Sequence, residues 1–548
     1  MVQELSDSIS KSEEQTLLVS ESLIKQQCKT NCKLTYRVRK LKNKGAIIVL
    51  VWNFFIASVF NHLMALVVPN GLKITIIAWG LTLPFAGWLA DIRFGRYKVI
   101  RWSMWIMWAA SILNTINLVV VQCISGYQEI HKGTSIALIF ILAIGFGGYQ
   151  ANVIQFGLDQ LQDASTTEIT AFIIWYVWTY FCNGALFDFT HVCVTPNYYI
   201  FAQLMACLSI TVAISSSYIL GDLLAKEPVT QNPFTLIYKV LHYTIKNKHP
   251  QCRSAFTYCE DELPFRIDFG KSKYGGPFTT EQVEDVKTFL RLLVIIGIAS
   301  IMLGKIEVMS QFNVRALQHS MSILSIKECY TERFSTIVFG FNAGTLLIPI
   351  YEFLFYPFLQ KCFHSINIYQ KFLIGIILQI TRIIILMIYN ITARKSYREL
   401  QGYNATVACN HPNFLSWSSF KFWIAIPKFL ETISMVMVSI SGIEFLASQI
   451  PYSMRGLMIG AGYGSVFIFA MIEYGIYWPF NHQSSTWGTG VISCEFWYLL
   501  SVLIVTVIFS VLLLIAGRWY KNRKREDVLP NEHIFAERYY TQEISKYP

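Results

Sequence analysis

The sequence predicts an all-α membrane protein with twelve transmembrane helices in two six-helix bundles. Of its 548 residues, 54% are hydrophobic and only 14% are charged, whereas a soluble domain carries roughly 25% charged residues. The hydrophobic residues are gathered in runs of about 20, the length of helix that crosses a hydrocarbon core of about 30 Å. Helix is expected for these runs because a bilayer holds no water to satisfy exposed backbone groups.

Twelve such runs are predicted, and a long polar stretch separates the sixth from the seventh. The runs lie at residues 46–68, 72–90, 99–123, 134–157, 169–190, 197–220, 288–309, 335–358, 370–392, 422–447, 455–479 and 492–517. The predicted segments are therefore an N-terminal tail (1–45), a first bundle (46–220), a linker (221–287), a second bundle (288–517) and a C-terminal tail (518–548).

The distribution of basic residues predicts the orientation of the chain. Both tails, the 91–101 loop and the linker are rich in Lys and Arg, whereas the loops at 191–196 and 480–491 contain neither. By the positive-inside rule, both termini are expected in the cytoplasm. Asn404, in an Asn-Ala-Thr sequon, then lies on the external or lumenal side as a candidate glycosylation site. The net charge of +11 is assigned to contacts with anionic lipid rather than nucleic acid.

Six spans, a cytoplasmic linker and six more spans are typical of carriers in which two bundles rock around a central solute site. The sequence has no Gly-rich loop ending in Lys-Ser or Lys-Thr, so no nucleotide cofactor is predicted. No cluster of residues with the spacing of a catalytic or metal site stands out either. We therefore expect neither an enzyme nor a metal site, and a gradient as the source of energy.

The turn between the second and third predicted spans carries a motif. Residues 87–98 read GWLADIRFGRYK. A short turn with glycine permits a tight reversal, and Asp91 can pair with the basic residues of this loop across the cytoplasmic ends of the helices. This segment resembles the loop motif of the major facilitator superfamily, in the form found in the proton-dependent oligopeptide transporter (POT) family. Four further stretches resemble the same family in the same order, at residues 145–160, 284–287, 349–357 and 442–451.

The resemblance spans residues 80–460 and is strongest to the branch that includes peptide and peptide/histidine transporters. It implies the major facilitator fold, a small peptide or amino acid as the solute, and coupling to protons. Gln150 and Asn152, in the motif of the fourth helix, become candidates for solute binding. Asp91, Gly95, Arg96 and Glu444 become candidates for gating or structural roles.

Three charged positions of the family differ in this sequence. The first helix of the family carries an acidic–acidic–arginine signature, but here no Asp, Glu, Lys or Arg lies between Lys44 and Lys73. Gln150 replaces the lysine that would meet a peptide carboxylate, and Met435 stands where a glutamate would meet a peptide amine. A membrane sensor or scaffold that keeps the fold without transporting is therefore the alternative function.

Ionisable residues inside predicted spans are candidates for solute binding or proton coupling, because a charge there usually faces a cavity or a partner. In the seventh span, Glu307 and Gln311 share one helical face, whereas Lys305 lies about 200° around the helix from Glu307. The alternative is that this span ends at Leu303, which would place these residues in an external loop. Glu352 in the eighth span and Arg382 in the ninth are further candidates, either for coupling or for bridging helices.

In the tenth span, Glu431 lies one turn before Met435 on the same face. We therefore expect Glu431 to take over part of the role of the missing glutamate. A local pair between Lys428 and Glu431 at the membrane surface is the alternative.

The N-terminal tail contains an acidic dileucine pattern formed by Glu13, Leu17 and Leu18. Such a pattern resembles sorting signals of endosomal and lysosomal transporters, which are bound by a sorting adaptor. The expected location is therefore the plasma membrane or an endosomal or lysosomal membrane. The expected partners are a small-molecule solute, protons and the lipid bilayer.

Overall fold

A computed structural model shows a chain whose described residues are mostly helical. The structure describes residues 41–67, 73–123, 128–161, 164–193, 198–227, 229, 232–247, 265–300, 344–355, 368–400, 425–451, 454–465, 475 and 494–520.

Six helices form in the first half of the chain, over the first six predicted runs. They are α1 (Lys44–Val67), α2 (Lys73–Leu89), α3 (Arg96–Cys123), α4 (Gln128–Asp159), α5 (Thr166–Cys193) and α6 (Tyr198–Ile219). The start of α1 is fixed by Asn43, whose side-chain oxygen accepts a hydrogen bond from the backbone N–H of Ala46 at 3.2 Å. Such a cap satisfies one of the four N–H groups that a helix start leaves without an intrahelical partner.

Within the predicted linker the structure has a helix that the apolar runs did not predict, α7 (Pro233–Lys246). Asn232 caps this helix by accepting a hydrogen bond from Phe234 N at 3.0 Å, and proline at the first helical position needs no hydrogen-bond acceptor. The second half then contains α8 (280–300), α9 (Gly344–Ile350), α10 (Ile368–Leu400), α11 (Ala425–Gln449), α12 (455–465) and α13 (Cys494–Trp519).

Every predicted run overlaps a helix among the described residues. Within the part of the chain that the structure describes, five helices are long and apolar enough to cross a membrane by length and composition. They contain the stretches Arg96–Val120, Gly133–Asp159, Ile368–Ile388, Phe429–Gln449 and Phe496–Trp519. The all-helical fold is confirmed, and the number of spans stays a prediction.

Large apolar side chains divide between buried and outward-facing sets. Trp52, Trp79 and Phe146 are buried, and the rings of Trp79 and Phe146 meet edge to face with centroids 5.3 Å apart. Leu81 and Phe85 of α2 are exposed, as expected of residues that face lipid. Because lipid is as apolar as these side chains, close packing and hydrogen bonds hold such helices together more than the hydrophobic effect does.

The reversal between α2 and α3 brings a carboxylate into the protein interior. The chain forms one π-helical turn over Ala90–Phe94, and Gly95 follows at φ 79°. An L side chain is strained at this φ, so the turn requires glycine. The N–H of Gly95 donates to the carbonyl of Ala90 at 3.0 Å, and the Asp91 side chain is buried.

Candidate functional site

Helices from both halves of the chain enclose a cavity of about 280 Å³. Its size is close to the lower end of the range for small-molecule sites, about 300–1,000 Å³. From the first half, α4 and α5 contribute Gln150, Tyr176, Val177, Tyr180 and Phe181. From the second half, α8 and α10–α13 contribute residues that include Ser300, Tyr369, Phe372, Met435, Gly442, Phe445, Tyr463 and Leu513.

The described residues that line this cavity carry no ionisable group apart from tyrosine hydroxyls. Gln150 is 7% exposed, and its Oε1 accepts no hydrogen bond from the described residues. The side chains of Tyr176 and Tyr463 hydrogen-bond to each other, which links α5 to α12. The cavity therefore has aromatic and apolar walls with one buried amide oxygen available to a ligand.

The buried charges of the second half form bridges between α10 and α11. Arg382 Nη2 lies 3.2 Å from Glu431 Oε1, and both side chains are buried. Lys371 Nζ donates to Glu444 Oε2 at 3.0 Å. Glu431 lies one helical turn before Met435, which lines the cavity, whereas Glu431 itself does not line it. A buried charge requires an opposite charge close by, because an unpaired buried charge strongly destabilises the fold.

A second cluster of buried charges forms around Arg96, at the start of α3. Arg96 Nη2 donates to Asp91 Oδ1 at 2.9 Å, and Arg96 Nη1 donates to Asp159 Oδ2 at 2.6 Å. Asp91 Oδ2 also accepts a hydrogen bond of 3.0 Å from the backbone N–H of Leu457 in α12. Burial raises the pKa of Asp91 more than Arg96 and the Leu457 N–H lower it. Asp91 thus connects the first half of the chain to the second.

Three glycines bring α12 against α2 next to this cluster. A Cβ added at Gly456 would overlap the Asp91 carboxylate, and a Cβ at Gly460 or Gly464 would overlap backbone carbonyl oxygens of α2. Glycines spaced by four lie on one face of a helix and allow close backbone approach. The spacing of Gly456, Gly460 and Gly464 is visible in the sequence, and our motif analysis missed it.

A further cluster links the end of the linker to α8. Asp268 Oδ1 accepts from Lys271 Nζ at 2.7 Å and from Lys287 Nζ at 2.5 Å, and Glu284 Oε1 receives the same two lysines. Burial alone would raise the pKa of Asp268 and of Glu284, but the two lysines outweigh it and lower both pKa values. Burial alone would lower the pKa of Lys271, but the two carboxylates raise it.

These features occur in a sequence that matches a known family over most of its length. The family model described as "POT family" matches residues 104–477. The chain belongs to the POT family. The resemblance drawn from the motifs is therefore confirmed, and the chain is a membrane protein of a transporter family. This membership favours the transporter function over the sensor or scaffold.

Relatives and solved structures agree with the assignment to the POT family. Mouse solute carrier family 15 member 3 is 22% identical over 501 residues, covering 81% of this chain and 83% of its own length. Protein NRT1/PTR FAMILY 2.9 of Arabidopsis thaliana is 24% identical over 427 residues, covering 68% and 70%. The POT family transporter PepTSo has a similar fold, with a TM-score of 0.57 at 14% identity over 87% of this chain and 98% of its own.

The structure places the predicted site residues of this POT-family chain in different surroundings. Gln150 lines the cavity, whereas Asn152 is fully buried and donates to the carbonyl of Gly148 at 2.9 Å. Glu352 is buried in the π-helical turn Tyr351–Phe355. The other predicted candidates lie outside the described residues, namely Glu13, Leu17, Leu18, Lys305, Glu307, Gln311 and Asn404.

Lys371 was not among the predicted candidates, although it bridges to Glu444, which was. Arg382 was a candidate for coupling or for bridging helices, and it bridges to Glu431. Arg382 lies in an apolar stretch of α10, a signal that marks a functional or paired charge. The side chain of Lys428 is outside the described set, so the predicted alternative pair of Glu431 with Lys428 remains open beside the observed contact with Arg382.

Proposed function

We propose that this POT-family chain is a secondary active transporter that moves a small peptide, amino acid or similar organic solute through the cavity between its halves. The observation that carries the proposal is the shared lining, because α4 and α5 face α8 and α10–α13 across one space. A site built from both halves changes its exposure when the halves rock, which is the physical basis of alternating access.

Asp91, Gly95, Arg96 and the α12 glycines are proposed as a gate that closes one end of this path. The bond from Leu457 N to Asp91 and the close packing of Gly456 against α2 join the two halves. Both contacts must be lost if α2 and α12 separate. The Arg96 bonds to Asp91 and Asp159 lie within the first half, so they hold the carboxylate in position in either state.

Arg382 and Glu431 are proposed as the coupling site. The first helix, where the family carries charges, has none between Lys44 and Lys73, so proton movement requires another acid. Glu431 is a buried carboxylate one turn from the cavity wall, and protonation would weaken its bond to Arg382 and free α11 to move against α10. Glu352, Lys305, Glu307 and Gln311 remain proposed as further coupling or solute residues.

The membrane arrangement is proposed from the sequence. We propose twelve spans in bundles 46–220 and 288–517, a cytoplasmic linker at 221–287, and both tails in the cytoplasm. The dileucine pattern at residues 13–18 would direct the protein to an endosomal or lysosomal membrane through a sorting adaptor, and the plasma membrane is the default without it. Asn404 would then be glycosylated on the opposite side.

The proposed function is tested by uptake into liposomes that contain the purified protein. A panel of labelled dipeptides, amino acids and neutral organic solutes is offered with and without an imposed pH gradient, acidic outside. We expect saturable uptake of at least one solute above that of protein-free liposomes, and faster uptake with the gradient. No flux of any solute by folded protein in either condition would contradict transport, and flux that ignores the gradient would contradict proton coupling.

A further inference from the structure

The chemistry of the described cavity lining bears on the charge of the solute, just as the cavity volume bears on its size. The described lining includes Gln150 in the first half and Met435 in the second, the two positions where the family resemblance implies a lysine and a glutamate. A linear peptide or amino acid carries a carboxylate and an ammonium group. As the halves close around such a solute, both groups lose water, and the described walls offer no opposite charge in return.

Four charged residues of α10 and α11 are engaged in ion pairs with one another. The Glu431 carboxylate lies against Arg382 at 3.2 Å, and the Lys371 ammonium lies against Glu444 at 3.0 Å. None of these four residues lines the cavity. Drawing one of them toward a solute would break its present ion pair, which is unfavourable for a buried charge.

The polar groups that do line the cavity suit a neutral ligand. Gln150 Oε1 is buried and accepts no hydrogen bond from the described residues, so it requires a donor from whatever fills the cavity. Tyrosine hydroxyls donate and accept hydrogen bonds without net charge. The aromatic rings of Tyr180, Tyr369 and Phe372 border the same space, and aromatic walls favour a flat ligand that can stack or meet them edge to face.

We propose that the cavity selects an uncharged, ring-bearing solute with a hydrogen-bond donor, such as a cyclic dipeptide, over the linear peptide of the same residues. The inference rests on the proposed transport function and narrows its substrate class. In a cyclic dipeptide the two termini are joined as amides, so the molecule keeps peptide N–H and C=O groups and loses both charges. One ring N–H donates to Gln150 Oε1, and the side chain packs against the aromatic wall.

The test compares alanyl-tyrosine with its cyclic form, which differ only in the joined termini. Binding to purified protein is measured by calorimetry, and exchange is measured by counterflow in liposomes, with protein-free liposomes subtracted. We expect the wild type to bind the cyclic form at least about tenfold more tightly, because an uncompensated buried charge weakens binding by that much or more. Gln150→Leu is expected to weaken binding of the cyclic form by removing the hydrogen-bond acceptor.

Gln150→Lys tests whether the charge of the cavity wall decides which ligand binds, because it adds one positive charge to the wall. It is expected to increase affinity for N-acetyl-alanyl-tyrosine, which keeps the carboxylate, by about tenfold, and to leave the affinity for alanyl-tyrosine amide unchanged or lower. A variant that merely disturbed packing would weaken both ligands alike. Thermal unfolding of each variant confirms that it is folded.

The outcomes separate the substrate class from the transport function. Tighter binding of the linear form by the wild type, with counterflow of that form, overturns the inference and leaves transport intact. Absence of counterflow for every solute in the panel overturns both. Preference for the cyclic form, together with a carboxylate-specific gain in Gln150→Lys, supports the inference.

Discussion

Replacing Asp91 with alanine is expected to open the gate between α2 and α12. Asp91 Oδ2 accepts the 3.0 Å hydrogen bond from Leu457 N, and this bond joins the two halves of the chain. The bond from Arg96 to Asp91 does not enter the difference between closed and open states, because both residues belong to the first half. The Leu457 bond, in contrast, is present in the closed state and absent in the open state.

The size of the effect is worked from the bond between Leu457 N and Asp91. A hydrogen bond to a charged group contributes about 1.5–3 kcal/mol, and each 1.4 kcal/mol changes an equilibrium about tenfold. The population of the open state is therefore expected to rise about 10- to 150-fold in Asp91→Ala. Asp91→Asn keeps an oxygen that accepts from Leu457 N but loses the charge, so its effect is expected to be about fivefold to tenfold.

The assay measures the reactivity of a cysteine that the closed gate covers. Leu83 of α2 is buried and lies one turn before Gly87 on the same helical face, and its carbonyl oxygen would overlap a Cβ added at Gly460 of α12. In a Leu83→Cys background, the rate of modification by a water-soluble maleimide reports the open fraction when opening is faster than labelling. Mass spectrometry identifies the labelled position.

Asp159→Asn is the matched control for this assay. Asp159 also holds Arg96, at 2.6 Å, and its hydrogen bonds with described residues, to Arg96 and Gln155, stay within the first half of the chain. We expect this variant to unfold at lower temperature and to label position 83 at the background rate. Equal labelling of Asp91→Ala and its background, or labelling of Asp159→Asn as fast as Asp91→Ala, would refute the assignment of Asp91 to the gate.

Two further predictions concern the buried pair and the linker. Glu431→Gln is expected to abolish the dependence of uptake on an imposed pH gradient and to lower the free energy of unfolding by about 3 kcal/mol, because the ion pair with Arg382 is lost. Adding Arg382→Met to this variant is expected to restore the unfolding temperature but not the pH dependence of uptake. Uptake that still depends fully on the pH gradient in either variant would rule out the coupling role of Glu431. In the linker, Asp268 and Glu284 have lowered pKa values, so their contribution to stability is present above their ordinary values of 3.8 and 4.5 and is lost as the pH falls through the lowered ones. In the wild type, we therefore expect amide hydrogen exchange of residues 265–287 to accelerate only below about pH 4. In Lys287→Met, we expect it to be faster already at neutral pH. Unchanged exchange in this variant would show that the charge cluster does not stabilise the folded linker.

Features that depend on local sequence were predictable here. Runs of apolar residues placed the helices, because a bilayer requires internal backbone hydrogen bonding whatever the detailed side chains. The ordered motifs predicted the family, and Gly95 is in the positive-φ conformation that the predicted tight turn requires. The motif comparison also singled out Gln150 and Met435, and both line the cavity.

Features that depend on contacts between distant helices were not predictable. Glu431 contacts Arg382, which is 49 positions earlier in the chain, and no local spacing relates them. Sequence alone offered Lys428 as the nearest opposite charge. Asp91 accepts a hydrogen bond from the backbone N–H of Leu457. Because every residue except proline has this group, the sequence does not mark which one donates. Helix α7 in the linker was not predicted, because only long apolar runs were sought and its 14 residues include polar ones.

The central claim is that the cavity between the halves is the path of the solute, and blocking it tests that claim most directly. Gly442 lines the cavity, and a Cβ added there meets nothing within 4 Å among the described residues. Gly442→Ala therefore adds little, whereas Gly442→Trp fills much of a space of about 280 Å³ without a clash at its base. Gly133→Trp, at an exposed glycine of α4 outside the cavity lining, is the matched control.

Initial uptake rates of the transported solute are compared for the four proteins in liposomes, each at equal reconstituted amount and with its fold verified by thermal unfolding. We expect Gly442→Ala and Gly133→Trp to take up the solute at the wild-type rate, and Gly442→Trp to lose nearly all flux. Uptake by folded Gly442→Trp at the wild-type rate would contradict it, because the solute would then be crossing the protein by some other route.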